Sequence, residues 1–111
     1  MRNTVSLKKN SDFRRLYYRG GSVVSDCLVI YYKRNRDKES RLGITVSKKV
    51  GNAVVRNRVR RLIKESYRLN EDGIKQGFDV VVVARSSAKG ASFRKISSAL
   101  MYLIRKSGLT A

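Results

Sequence analysis

Residues 47–68, SKKVGNAVVRNRVRRLIKESYR, leave the chain few ways to fold. At about 100° per residue on a helical wheel, Val55, Val59, Leu62, Ile63 and Ser66 cluster together, with Tyr67 at their edge. Arg60, Lys64, Arg68, Asn57 and Arg61 gather on the opposite side, while Arg56 and Arg58 flank the two borders of the apolar stripe. A helix of this kind must lay its stripe on a partner layer. Its other side then presents a row of cations roughly 6 Å apart, the spacing of i,i+4 neighbours. Only Glu65 interrupts the basic face, whereas a merely solvated helix interleaves acids with its bases. Arginine suits bidentate phosphate contacts and stacking on bases, so this face reads as a surface for a polyanion. Lys48 and Lys49 add charge just ahead of the helix, which runs to about Leu69.

The partner layer is legible on either side of this helix. Val23-Val24 and Cys27 to Lys33 read as strands, rich in Val, Ile and Tyr. Leu42 to Ser47 alternates, with Leu42, Ile44 and Val46 directed at a core and Gly43, Thr45 and Ser47 forming a shallow, open face. Phe78 to Ala84 is nearly continuous apolar and suits a central strand. Two further helices bracket the chain. One spans Asp12 to Arg19, capped by Ser11 and closed by Gly20 and Gly21, with Phe13, Leu16 and Tyr17 on one face. The other runs from about Ser92 to Lys106, with a stripe of Phe93, Ile96, Leu100, Leu103 and Ile104 and Gly108 at its end. Asn35 to Ser40 and Asn70 to Gly77 are polar connections. The order helix, strands, helix, strand, helix describes an α+β sandwich with helices on a mixed sheet, and 111 residues fit a single domain, 1–111.

Charge and composition narrow the function. Twenty-six Lys and Arg against eight Asp and Glu give a formal +18, well above the roughly 2–8 that solubility alone requires. Nucleic acid is the natural partner, with an anionic membrane surface as its competitor. Unbroken apolar runs such as Val80 to Ala84 are far short of the ~18 residues of a membrane span. The first residues also lack the apolar stretch of a secretory signal. The single cysteine, Cys27, sits in an apolar run and reads as a small buried hydrophobe in a reducing, cytoplasmic setting. The chain has no histidine, which removes Ser-His and Cys-His pairs, His-based acid–base catalysis and ordinary zinc sites. The close acidic pairs, Asp37/Glu39 and Glu71/Asp72, fall in polar loops and read as solvated.

The string VGNAVVRNRVRRLIKESYR resembles the signature box of the bacterial ribonuclease P protein subunit, whose hallmark is an Arg-Asn-Arg core. LKKNSDFRRLYYRG, LGITVSKK and FDVVVVAR match that family in order and spacing, from about Leu7 to Arg85. The resemblance implies a subunit that joins a large catalytic RNA and assists removal of the 5′ leader from precursor tRNA. The active site and its Mg2+ would belong to the RNA, with no catalytic residue, metal site or obligate protein partner on this chain. It implies that Arg56, Asn57, Arg58, Arg60, Arg61, Lys64 and Arg68 lie against the catalytic RNA. The leader would occupy a cleft carrying Phe13, Tyr17 and Tyr31, with Ser47, Lys48 and Lys49 near its rim and Arg85 close by. Ser86 stands where many relatives have a further Lys, which weakens transfer of a phosphate contact to that position.

The resemblance also implies a four-stranded sheet with a left-handed strand–helix–strand crossover, which pattern alone does not suggest because about 98% of such units are right-handed. Read from the residues only, Phe13 and Tyr17 are either the core side of a short helix or stacking platforms for unpaired bases. A ribosomal or RNA-chaperone protein is the alternative of the same composition. A self-sufficient nuclease would need acid–base groups or a carboxylate-bound metal pair, and the only close acidic pairs, Asp37/Glu39 and Glu71/Asp72, read as solvated loop residues.

Overall fold

The computed structural model describes residue 1, residues 4–37 and residues 39–111. Lys38, within the polar connection 35–40, lies outside them, as do Arg2 and Asn3. The elements are β1 (Thr4–Ser6), α1 (Asn10–Arg19), β2 (Gly21–Val24), β3 (Leu28–Arg34), β4 (Ser40–Val46), α2 (Ala53–Asn70), β5 (Phe78–Ala84) and α3 (Phe93–Lys106). The strands form one sheet in the order β1-β4-β5-β3-β2. β4 pairs in parallel with both β5 and β1, whereas β3 pairs antiparallel with β5 and with β2. The β4–α2–β5 segment is the parallel strand–helix–strand unit in which the left-handed crossover is expected. Among the described residues, no helix is long and apolar enough to cross a membrane.

β5 explains why the sheet is covered on both sides. Val80 and Val82 point into a large core with Leu28, Ile30, Leu42 and Val46, roofed by Val59, Ile63 and Tyr67 of α2 and Ile96, Leu100, Leu103 and Ile104 of α3. Val81 points the other way, into a small core with Leu7 and Leu16, against which Phe13, Tyr31 and Val83 pack. The continuous apolar run of β5 is thus two alternating sets serving two cores. Cys27 is fully buried in the large core, and that burial raises its thiol pKa above the ordinary value.

Helix boundaries follow their caps. The Asn52 side chain accepts from the Val55 amide at 3.0 Å and Ser92 accepts from Lys95 at 3.1 Å, so α2 and α3 begin immediately after these residues. Gly108 ends α3 in the left-handed region at φ 79°.

Several expectations need correction. Among the described residues the sheet has five strands, because Thr4–Ser6 adds to the β4 edge with no apolar alternation to announce it. Ser11 does not cap α1: Lys9 takes that position, its carbonyl accepting from the Asp12 and Phe13 amides. Gly20 closes α1 in extended geometry rather than the left-handed region. Glycine is needed there because a Cβ would lie 2.6 Å from the Leu16 carbonyl and 2.8 Å from that of Tyr32. The Gly43 face is not open, since the Phe13 ring lies on it and a Cβ would stand 2.6 Å from Phe13 Cζ. Glu71 is buried in a short 3-10 turn, although Asp72, Asp37 and Glu39 are exposed as read.

Tyr67 sits at the centre of the large core rather than its edge, and burial pushes its pKa up to about 12. An unfolded chain releases the phenolic proton near pH 10, while the folded protein keeps it until about 12. The stability that the neutral ring provides is therefore whole below pH ~10 and drains away between pH ~10 and ~12, by up to roughly 2–3 kcal/mol. Urea unfolding at pH 9 and 11 should show a steeper loss for the wild type than for Tyr67→Phe. Parallel losses would place the alkaline sensitivity elsewhere.

Candidate nucleic-acid interface

α1 is held on the sheet by a buried ion cluster. Arg41 of β4 grips Asp79 of the adjacent β5 with both ends of its guanidinium, Nε to Oδ1 at 2.9 Å and Nη2 to Oδ2 at 2.6 Å. Its Nη1 donates to Asp12 Oδ2 of α1 at 3.2 Å. Asn35 Nδ2 donates to Asp79 Oδ1 at 2.9 Å. The hydrogen bonds to Asp79 outweigh desolvation and raise the Arg41 pKa above its ordinary value. Asp12 and Asp79 are both buried, so the cluster fixes α1 across the sheet at a defined place.

That placement builds an aromatic cleft. The half-buried Phe13 ring covers Gly43. One turn on, the Tyr17 hydroxyl lies 3.3 Å from Thr45 Oγ1, and its ring meets Tyr31 edge-on with centroids 4.8 Å apart. Asn10 and Arg14 complete a depression with Phe13, Tyr17 and Thr45. Sequence reading passed over these two polar residues, although their i,i+4 spacing was the available signal. On α1 Tyr17 is exposed, Phe13 half-buried and Leu16 buried, so the face they share divides between cleft and core, with the half-buried Tyr31 of β3 opposite.

Past the β4 edge the cleft opens into a groove of about 520 Å³, whose lining includes Leu7, Phe13, Gly43, Ile44, Arg60 and Lys64. The structure thereby brings the aromatic cleft and part of the arginine helix to one groove. Around the outside of α2, Arg61, Lys64 and Arg68 are exposed, and Arg56, Arg58 and Arg60 are half-buried. Their engagements differ. Arg58 Nη2 donates to the Ala91 carbonyl at 3.0 Å, Arg60 Nη1 donates to Asn57 Oδ1 at 3.0 Å, and Arg68 is paired with Glu65. The Glu65 carboxyl is held below its ordinary range by Arg68. Arg56 Nε is buried without a hydrogen-bond partner.

Ser47, Lys48 and Lys49 are exposed on the turn between β4 and α2, with the Val50 amide donating to the Ser47 carbonyl. Arg85 does not join Phe13 and Tyr31. Its Nη1 donates to the Ser25 carbonyl at 2.8 Å, in a separate groove beside α3.

A strongly basic α+β sandwich with a cationic helix bordering an aromatic cleft defines an RNA-binding protein of the kind found in ribonucleoproteins. The comparisons narrow the class. The Ribonuclease P family model matches residues 1–108. The ribonuclease P protein component of Alkaliphilus metalliredigens is 52% identical over 106 residues, covering 96% of each chain. That of Clostridioides difficile is 50% identical, covering 96% of this chain and 95% of its own. The Staphylococcus aureus RNase P protein superposes with a TM-score of 0.88 at 36% identity, over 96% of this chain and 97% of that one. The Thermotoga maritima protein gives a TM-score of 0.84 at 30% identity, over 91% and 96%. The chain belongs to the ribonuclease P protein family.

Proposed function

We propose that the protein serves ribonuclease P by clamping two RNAs at once: the catalytic RNA on the outer face of α2, and the 5′ leader of precursor tRNA in the cleft between α1 and the sheet. The observation that carries this reading is the groove shared by Phe13, Arg60 and Lys64, which sets an aromatic platform beside two cations, Arg60 bonded only to the neutral Asn57 side chain among the described residues. Rings such as Phe13, Tyr17 and Tyr31 stack on unpaired bases of any identity. The charges of Arg60, Arg61 and Lys64 neutralise phosphates. Ser47, Lys48 and Lys49 would meet backbone at the rim.

Endonucleolytic removal of the leader is then chemistry of the RNA and its Mg2+. Among the described residues no group of Asp, Glu or Cys is arranged to hold a metal ion, and the buried Asp12 and Asp79 are already engaged by Arg41. The reading carries a cytoplasmic setting, with which the buried, unpaired Cys27 thiol is compatible.

Phe13→Ala tests the cleft. Reconstituted with catalytic RNA, the variant should bind leader-bearing precursor roughly 5- to 160-fold more weakly, the loss of one stacked base at about 1–3 kcal/mol. Binding of mature tRNA should change little. Equal losses for both substrates would make Phe13 a packing residue only.

A further inference from the structure

The groove into which Arg85 turns lies apart from both surfaces described so far. It has a volume of about 640 Å³ between α3 and the β2–β3 turn, and Val24, Ser25, Asp26, Arg85, Lys95 and Tyr102 are among its lining. Tyr102 is 44% exposed and Val24 51%. Lys106 sits over the Tyr102 ring, 5.5 Å from its centroid. α3 contains no acidic residue, and Arg94, Lys95, Arg105 and Lys106 are all exposed on it. The one carboxylate in the groove, Asp26, is matched by Lys95 at 3.6 Å. An aromatic face among unneutralised cations is the composition of a single-strand site, the ring for a base and the charges for its phosphates.

α3 packs on the sheet face opposite the aromatic cleft, but at the β2 edge Val24 brings the lip of this groove to the cleft side. Thr45, which meets Tyr17, is in register with Val83, Val83 with Val29, and Val29 with Val24. Residues in register share a face, and Val83 belongs to the Phe13–Tyr31 side. Three inter-strand spacings, about 14 Å, therefore separate the cleft from the lip of the groove. The floor between them is half-buried valine.

We propose that this groove is a second leader site, in which a nucleotide farther from the cleavage point than those in the cleft stacks on Tyr102. Lys106 and Arg85 neutralise its phosphates; Arg85 donates one N–H to Ser25, and a guanidinium has four more. The inference rests on the cleft holding the proximal leader. It adds that long leaders gain affinity which short ones do not.

The test uses the reconstituted holoenzyme and precursor tRNAs with leaders of about 4 and about 16 nucleotides, the range of single-strand sites on small domains. The wild type should bind the long leader more tightly. Tyr102→Ala should weaken the long-leader complex roughly fivefold or more and leave the short-leader complex unchanged. Tyr102→Phe, which keeps the ring, should behave as wild type. A length gain that survives Tyr102→Ala, or no gain in the wild type, overturns the second site. So does weaker binding of Tyr102→Ala to catalytic RNA alone, or Tyr102-dependent binding to phosphatidylserine vesicles. Failure of the cleft reading is separately visible, as a short-leader complex indifferent to Phe13→Ala.

Discussion

Replacing Arg41 with Ala lowers folding stability by about 3 kcal/mol, the low end of the ~3–5 kcal/mol cost of breaking a buried pair. The side chain is 29% exposed, which lets water soften the loss, but its carboxylate partners are only 8–9% exposed. Removing the guanidinium leaves Asp12 and Asp79 as like charges facing an emptied site. Asn35 still donates to Asp79, whereas Asp12 keeps only the long contact to Arg15 at 3.4 Å. The damage should therefore fall on the seat of α1. Chemical denaturation measures the stability, and a loss below about 1 kcal/mol would show that solvent screens the cluster as it screens a surface pair. Leader affinity should fall with it, although Arg41 touches no RNA in this reading.

The second large effect concerns attachment to catalytic RNA. Each phosphate contact contributes about 0.9 to the slope of log affinity against log salt. Arg61→Ala combined with Lys64→Ala should flatten that slope by up to about 1.8, and lower affinity about 30-fold at ~0.15 M salt. These two residues are chosen because both are exposed and neither makes a side-chain bond to the rest of the fold among the described contacts. Arg58 is a poorer probe, since it also secures the Ala91 carbonyl ahead of α3. Its loss mixes RNA binding with roughly 1 kcal/mol of stability. A slope unchanged in the double variant would mean that the outer face of α2 does not meet phosphate.

What the sequence disclosed, and what it withheld, divides along physical lines. Periodicity reports which way a residue faces within its own element. It correctly set Val59, Ile63 and Ser66 beneath α2 and the run Phe78–Ala84 within the sheet. Caps are equally local, yet the one read from pattern, Ser11, gave way to Lys9, while Asn52 and Ser92 were recognised as caps only from their bonds. The Asp12–Arg41–Asp79 cluster is different in kind. Its members lie 29 and 38 positions apart and meet only through strand register, which no wheel reveals. The direction of the Arg85 side chain, the closing of Gly43 by Phe13 and the addition of β1 depend on the same long-range placement. The site was thus legible as residue types and faces, while the shared groove of Phe13 with Arg60 and Lys64 emerged only in three dimensions.

The two cores flanking β5 are unequal. Among the described residues one carries twenty buried residues and the other three. Local opening begins where the fewest apolar contacts must be surrendered, and here that is the side bearing α1. Heat or denaturant should strip the subunit of its ability to tell a substrate from a product while it is still fastened to its ribozyme. On the proposed reading, discrimination is the property that fails first, and attachment the one that lasts.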